Sequence, residues 1–198
     1  MKQLVVATKN AGKVEEFREM LSKYGIQVKS LLDFDEPVEN IVEDGETFED
    51  NATIKAEAVS KKFQVPVVAD DSGLEIDALQ GAPGIYSARY AGEEKNDQKN
   101  LEKVLRELKE VSTGKRTARF VCAIAVARPG HATFVKRGTC EGTISEQPSG
   151  EEGFGYDPIF IPQHSDRTMA EHTSVEKNSI SHRNHAILKI EQWIQDFS

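Results

Sequence analysis

The chain has 198 residues, of which 38% are hydrophobic and 29% are charged, and its net charge at pH 7 is −8. This size and composition are typical of one ordinary globular domain, so residues 1–198 are expected to form a single domain. The negative charge argues against a nucleic-acid partner, because such binding needs a broad basic face that displaces counterions. No apolar run has the length of a signal peptide or a membrane span, which favours a cytoplasmic protein without a membrane partner.

Apolar residues recur in patterns that predict strands interleaved with helices. Buried strands are predicted at residues 4–7, 66–69 and 120–127, with a further extended stretch at residues 133–136. Helices are predicted over residues 14–21, 51–63 and 101–108 and from about residue 182 to residue 196. This alternation favours an α/β class. The neighbouring strands between residues 120 and 144 could pair antiparallel, which would make the sheet mixed.

The two cysteines, Cys122 and Cys140, do not form a CxxC pair. Cys122 lies inside the apolar run of residues 120–127. A buried, reduced thiol is therefore predicted in preference to a disulfide or a nucleophile.

The loop Thr8–Lys13 follows the first predicted strand and leads into a helix. The N–H groups and the dipole of a helix N-terminus favour an anion, and Lys13 lies just inside that helix. The loop is not a Walker A motif, because Val14 follows Lys13 where that motif has Ser or Thr. A phosphate site and a plain strand-to-helix turn both stay open on this loop alone.

Acidic residues flank the second predicted helix and strand. Glu43 belongs to an acidic run before the helix, where carboxylates suit Mg²⁺, although the local pattern alone favours an acidic cluster that satisfies the helix dipole. Asp70 and Asp71 follow a buried strand, and the carboxyl ends of such strands are where α/β proteins bind ligands. Their side chains should point to opposite faces, so one reaches a metal or water while the other caps the turn at Gly73. A solvated turn is the alternative.

Two segments in the second half could contact a ligand. Residues 154–157 combine Phe154 and Tyr156 with glycines, which suits stacking on a base but also suits a hydrophobic turn. Lys177, His182 and Arg183 lie beside the start of the last predicted helix, where Ser181 is a candidate N-cap. Cations there oppose the helix dipole, so an anionic or oxygen-rich ligand would offset a local cost. A zinc site at His182 and His185 is disfavoured, because no Cys or third His is near.

Six short motifs follow one another along the chain. They are Thr8-x-Asn10-x-x-Lys13, Glu46-Thr47-Phe48-x-x-Asn51-Ala52, Ala69-Asp70-Asp71-Ser72-Gly73-Leu74, Gly84-Ile85-Tyr86-Ser87-Ala88-Arg89-Tyr90-Ala91-Gly92, Gly153-Phe154-Gly155-Tyr156-Asp157-Pro158 and Ser181-His182-Arg183. In this order and spacing the chain resembles the inosine triphosphate pyrophosphatase family, also called Ham1-like, across essentially its whole length. Each motif is weak alone, and the six together are highly specific.

The resemblance implies a fold and an activity. The fold is α/β, with a mixed sheet, flanking helices and two lobes around a central nucleotide-binding cleft, and the protein is usually a homodimer. The activity is Mg²⁺-dependent cleavage of non-canonical purine nucleoside triphosphates, ITP, dITP and XTP, to the monophosphate and pyrophosphate. Two rivals are a Maf-like pyrophosphatase for modified pyrimidines and a nucleotide sensor that does not hydrolyse. The motifs at 154–157 and 181–183 argue against the first, and the carboxylates argue against the second.

The resemblance also implies a role for each site residue. The phosphates would be held by Thr8, Lys9, Asn10, Ala11, Gly12 and Lys13. Glu43 and Asp71 would bind the metal, and Asp71 would also act as base towards the attacking water. Ser72 and Lys177 would contact the nucleotide. The base pocket would be shaped by Phe154, Gly155, Tyr156 and Asp157, and His182 with Arg183 would read the base edge.

Overall fold

The computed structural model describes residues 2–34 and 41–197. Its strands are β1 (Lys2–Val6), β2 (Ile26–Ser30), β3 (Val67–Ile76), β4 (Thr117–Ala127), β5 (Phe134–Ile144) and β6 (Phe160–Pro162). Its α-helices are α1 (Ala11–Ser22), α2 (Phe48–Phe63), α3 (Asp97–Glu107), α4 (Ser174–Ile180), α5 (His182–Leu188) and α6 (Glu191–Phe197). No helix within the described residues is long and apolar enough to cross a membrane.

The strands form one six-stranded sheet in the order β2-β1-β3-β4-β5-β6. β1 pairs in parallel with β2 and β3, whereas β5 and β6 are antiparallel. The sheet is therefore mixed and helices flank it, which confirms the predicted fold class. Two compact units are present in the chain. A single domain over residues 1–198 stays a prediction.

The first unit comprises the segments Met1–Asp71, Cys122–Gly138 and Arg183–Ser198. Its core is apolar and includes Leu4, Phe17, Val68, Ile124 and Ile187. The last three residues of β1 and the second half of β4 are buried, which explains their continuous apolar sequences. Cys122 is free and buried in this unit, as predicted, and Cys140 of the other unit is also free and buried. Burial raises the pKa of the Cys122 thiol to about 12, so the group stays protonated at neutral pH.

The second unit comprises Ser72–Val121 and Thr139–His182. Its core is formed by apolar residues of β3, α3, β4 and β5 together with the segment around β6, including Leu74, Val104, Phe120, Ile144 and Phe160. Phe120 and Phe160 pack ring against ring with their centroids 4.3 Å apart. This core places residues 154–157 and α4, which carry part of the candidate site.

The prediction that β3 ends at Ala69 is wrong. The strand continues through Asp70 and Asp71 to Ile76, and Leu74 and Ile76 are fully buried at its far end. The sequence Asp-Asp-Ser-Gly is typical of a turn, but ion pairs of the Asp70 carboxylate inside the first unit let a charged residue occupy a buried strand position. Asp70 therefore does not cap a turn, and a solvated turn is excluded here.

The prediction of a single last helix is also wrong, because the chain forms two helices there, α5 and α6, which are separated at residues 189–190. Backbone bonds there step back three residues, from Lys189 N to Ala186 O and from Ile190 N to Ile187 O, which tightens the turn. This step keeps both Ile187 and Ile190 buried. The preceding helix α4 was not predicted, although Thr173 and Glu176 form a capping box that could have marked its start.

Candidate active site

The predicted phosphate loop lies between β1 and α1, and hydrogen bonds within the loop fix its shape. Asn10 caps α1, because its Oδ1 accepts from the Lys13 N–H at 3.0 Å, and Thr8 Oγ1 accepts from the Asn10 N–H at 3.1 Å. Thr8 is buried, whereas Lys9, Asn10 and Ala11 are exposed. These bonds leave the N–H groups of Ala11 and Gly12 as the candidates to face an anion.

Under this loop lies a buried ion-pair group formed by Lys13, Glu16, Asp70 and Arg183. Asp70 Oδ2 is 2.9 Å from Lys13 Nζ and 3.0 Å from an Arg183 guanidinium nitrogen. The other terminal nitrogen of Arg183 bonds to Glu16. Burial opposes ionisation of Asp70, but Lys13 and Arg183 outweigh it and hold the pKa of this carboxyl far below its usual range. Asp70 thus stays an anion that fixes the lysine of the phosphate loop.

Arg183 occupies a different environment from the one expected for a reader of the base edge. Its side chain is 1% exposed, and its guanidinium contacts Asp70 and Glu16 inside the first unit. Burial lowers the pKa of Arg183, but the carboxylates of Glu16 and Asp70 outweigh this effect and raise it. The observed partners are therefore carboxylates of the protein, and direct contact of Arg183 with a base stays a prediction.

A second group, the carboxylate cluster, consists of Glu43, Asn51, Lys55 and Asp71. Lys55 Nζ is 2.7 Å from Glu43 Oε2, and Asn51 Nδ2 donates to Asp71 Oδ2 at 3.1 Å. Asn51 and Lys55 are four residues apart on α2, so both face the same side of that helix. Glu43 and Asp71 lie near enough for the Glu43 carboxylate to raise the pKa of Asp71, and their shared role as metal ligands stays a prediction.

Asp70 and Asp71 are neighbours on β3 with opposite shifts in pKa. Burial raises the pKa of Asp71, and the nearby Glu43 carboxylate adds to the rise, while Lys13 and Lys55 lower it. Burial lowers the pKa of Lys55, but the nearby carboxylates of Glu43, Asp70 and Asp71 outweigh burial and raise it. Carboxyl groups whose environments push their pKa values apart are suited to different roles. Asp70 is a fixed anion, and Asp71 is the better proton acceptor.

In the second unit, residues 154–157 lie together with Lys177, and these residues are among those predicted to contact the nucleotide. Lys177 Nζ is 2.6 Å from Asp157 Oδ2, and both side chains are less than a tenth exposed. The same ammonium lies 4.5 Å from the centre of the Phe154 ring. Asp157 Oδ2 also accepts from the Phe154 N–H at 2.9 Å, so one carboxylate holds both the lysine and the loop.

Tyr156 differs from Phe154 in this segment. Its ring is buried, and its hydroxyl donates to Ser87 O at 2.7 Å. The neighbouring Gly155 N–H donates to Asp97 Oδ2 at 2.9 Å. Tyr156 therefore anchors the segment in its own unit, and the half-buried Phe154 is the aromatic residue better placed to stack on a base.

His182 is buried in the second unit and stacks on Phe120, with ring centroids 4.9 Å apart and an interplanar angle of 20°.

Within residues 2–34 and 41–197, no group of three or more His, Cys, Asp or Glu side chains is arranged to hold a metal ion.

Comparison with known proteins identifies the family. A sequence model described as the Ham1 family matches residues 4–193. The chain belongs to the Ham1 family. It is 61% identical to a protein of Halalkalibacterium halodurans named dITP/XTP pyrophosphatase, over 98% of this chain and 100% of that protein. A protein of the same name from Bacillus subtilis is 56% identical, over 98% of each chain.

Solved structures agree with this membership of the Ham1 family. The Staphylococcus aureus Ham1 protein matches with a TM-score of 0.85 and 43% identity, and the match covers 100% of both chains. A Mycobacterium abscessus protein described as nucleoside-triphosphatase / dITP/XTP pyrophosphatase matches with a TM-score of 0.76 and 40% identity, over 95% of this chain and 98% of that chain. The predicted family is confirmed.

Three residues of the candidate site, Glu16, Asn51 and Lys55, were not assigned a role from the sequence. Glu16 follows the predicted site residue Lys13 by three positions on α1, and Lys55 follows the motif residue Asn51 by four positions on α2. Residues at these spacings lie on the same face of a helix. That spacing is the signal that could have found them. Asn51 belonged to a motif of the family resemblance but carried no function, and its bond to Asp71 now supplies a candidate one.

Gly153→Ala is expected to lower the free energy of unfolding of this Ham1-family protein more than Gly155→Ala does. Both glycines have positive φ values, +78° and +63°, so the backbone would be strained by alanine at either position. A Cβ at position 153 would lie 2.1 Å from Asp157 Oδ2, whereas nothing lies within 4 Å of one at position 155. We expect a difference of about 1–3 kcal/mol in urea unfolding. Equal losses of unfolding free energy in the two variants would show that the Asp157–Lys177 pair can move to make room for the added Cβ.

Proposed function

We propose that this protein hydrolyses dITP, XTP and ITP to the nucleoside monophosphate and pyrophosphate in a Mg²⁺-dependent reaction. The names of relatives that match along almost their whole length support the substrate class. The observation that carries the mechanism is the contrast between Asp70 and Asp71. One carboxylate is a buried anion that holds Lys13, and its neighbour has a raised pKa beside Glu43.

The triphosphate is assigned to the phosphate loop and the neighbouring cations. The chain has a net charge of −8, so a triphosphate must be neutralised locally. Lys13 and Lys55 provide positive charge, and the N–H groups at the start of α1 provide hydrogen-bond donors. Because Asp70 and Glu43 hold these ammonium groups in place before a substrate arrives, less conformational entropy is lost on binding.

The carboxylates of this region fit a magnesium ion. Glu43 and Asp71 lie close enough to repel each other, and a shared cation would relieve that repulsion. Glu43 and Asp71 would hold the ion, and bound Mg²⁺ would neutralise phosphate charge and lower the pKa of a coordinated water.

Asp71 is assigned the role of general base. A catalytic base works best when its pKa lies nearer the working pH than that of a free carboxylate, and burial moves the pKa of Asp71 in this direction. The carboxylate would accept a proton from the water that attacks the α-phosphorus. Pyrophosphate then leaves, and the charge that develops on it is stabilised by the cations of the phosphate loop.

The base is assigned to the second unit. Phe154 offers a half-buried aromatic face for stacking, and Lys177 and Asp157 provide polar groups beside it. We retain His182 as a donor to the keto oxygen at the six-position, which hypoxanthine and xanthine carry and adenine does not. Arg183 would act through its ion pairs with Asp70 and Glu16. Rejection of GTP requires discrimination at the two-amino position, worth about 1–3 kcal/mol for one unpaired buried group.

Initial rates of pyrophosphate release test the proposal directly. We expect rapid release from dITP, XTP and ITP, rates at least about 100-fold lower with ATP, GTP and UTP, and a fall to background when a chelator removes Mg²⁺. Release of orthophosphate would contradict the site of cleavage. A pyrimidine preference would favour the Maf-like alternative, and binding without turnover would favour a nucleotide sensor.

Two further parts of the proposal concern the whole protein in the cell. A homodimer and a cytoplasmic location both stay predictions that rest on the family resemblance and on the sequence. Sedimentation of the purified protein would establish its mass in solution, and a mass of about 22 kDa would contradict the homodimer.

A further inference from the structure

We infer that Asn51 is a positioning residue that sets the orientation of Asp71 and the path of the loop that carries Glu43, a role that rests on the proposed function. Asn51 lies in the first half of α2 and is 3% exposed. Its Nδ2 donates to Asp71 Oδ2 at 3.1 Å, and its Oδ1 accepts from the Gly45 N–H at 2.9 Å. One side-chain amide thus joins two segments that carry candidate metal ligands.

The bond to Gly45 fixes which way the amide faces. A backbone N–H is only a donor, so it must meet the oxygen of Asn51, and the nitrogen is then directed at Asp71. This donor holds Oδ2 in place and so restricts the directions that Oδ1 can take. An amide is suited to this task, because it orients the carboxylate while adding no positive charge that would compete with a metal ion.

Gly45 allows the close approach that this bridge requires. A Cβ on residue 45 would lie 2.5 Å from Asp50 Cβ and 2.8 Å from Asn51 Oδ1, which are clashes with the start of α2. The glycine therefore lets the loop lie directly against the helix. Glu43 is only two residues away in sequence, so the position of Gly45 limits where the Glu43 carboxylate can go.

Lys55 completes the arrangement one turn further along α2. Its ammonium holds Glu43 Oε2 at 2.7 Å, while Asn51 holds Asp71. One rigid helix therefore contacts both carboxylates that are assigned to the metal. Residues that orient ligands in this way act on metal affinity and turnover without touching the metal, and their loss typically lowers either one about 10–100-fold.

Asn100 offers a matched control, because it has the same burial and bonding without a contact to a carboxylate. It is 2% exposed on α3, its Oδ1 accepts from the Ala91 N–H at 2.7 Å, and its Nδ2 donates to Ala88 O at 3.1 Å. Asn100→Ala therefore removes two equivalent hydrogen bonds from a buried helix position in the second unit. A purely structural role for Asn51 would make the two alanine variants behave alike.

The test compares Asn51→Ala, Asn100→Ala and the unchanged protein in three measurements. They are thermal unfolding, kcat and KM for dITP, and the Mn²⁺ affinity in the presence of the non-hydrolysable α,β-methylene analogue of dITP. We expect similar losses in Tm for both variants. Only Asn51→Ala should lower kcat about 10–100-fold and weaken Mn²⁺ binding by about tenfold or more, with a KM within about threefold of the unchanged protein.

Equal kcat and Mn²⁺ affinity in the two alanine variants would overturn the inference. If Asn51→Ala does not fold, Asn51→Ser replaces it, since this neutral side chain is too short to bond to Gly45 and Asp71 at the same time and adds no charge beside Asp71. A kcat at least tenfold lower supports the role, and an unchanged kcat overturns it. If the unchanged protein releases no pyrophosphate from dITP or XTP, the proposed function itself has failed, which is a distinct outcome.

Discussion

Asp71→Asn is expected to lower kcat/KM for dITP by about 10²–10⁴-fold, the contribution of a positioned general base. The amide has nearly the shape of the carboxylate, but it cannot accept the proton of the attacking water and is a poor ligand for Mg²⁺. Pyrophosphate release from dITP at saturating Mg²⁺ measures the loss. Near-normal turnover would exclude Asp71 as the base and remove the central element of the proposed mechanism.

The same variant should keep or increase its stability, which separates a catalytic from a structural loss. Burial raises the pKa of folded Asp71, so its charged form costs stability at neutral pH. As the pH falls from neutral towards this raised pKa, the folded protein takes up a proton before the unfolded chain does, and Asp71 becomes less destabilising. Asp71→Asn removes this dependence. Urea unfolding should therefore show that Asp71→Asn is more stable than the unchanged protein by a larger margin at pH 7 than at pH 5.

Much of the fold was predictable because its core elements have simple patterns. Residues 120–127 of β4 form a continuous apolar run, and α2 has one apolar stripe that includes Ala52, Ala56 and Val59. The start of α2 was missed by three residues, since Thr47 forms a capping box with Asp50 and extends the helix to Phe48. Local signals thus give the elements, and their ends depend on caps that compete along the chain.

The candidate site was less predictable, because its charges interact over long sequence distances. Asp70 pairs with Lys13 and with Arg183, which lies 113 residues further along the chain. No pattern around Asp70 shows that its carboxylate will be neutralised, so a turn was the natural prediction for Asp-Asp-Ser-Gly. The opposite environments of Asp70 and Asp71 follow from the alternation of side chains along β3, which was foreseen, and from partners that the fold supplies.

Asp70→Asn is expected to produce the largest loss of stability, about 3–5 kcal/mol in the free energy of unfolding. Asp70 is fully buried and neutralises Lys13 and Arg183, so its removal leaves cations in the interior with one carboxylate partner fewer. Urea unfolding at pH 7 measures the effect. Asp77→Asn is the control, because Asp77 is exposed and paired with Arg119, where a salt bridge contributes less than about 1 kcal/mol.

The pH dependence gives this prediction a second, independent measurement. The folded pKa of Asp70 is far below its usual range, so the charge stabilises the folded state at every pH above the unfolded pKa of about 3.9. This stabilisation is lost as the pH falls below that value towards the folded pKa. The difference between the unchanged protein and Asp70→Asn should therefore be constant from pH 7 to about pH 5 and shrink in stronger acid. A difference that is small at pH 7, or that grows in acid, would show that Lys13 and Arg183 find other partners and that Asp70 does not hold the phosphate loop in place.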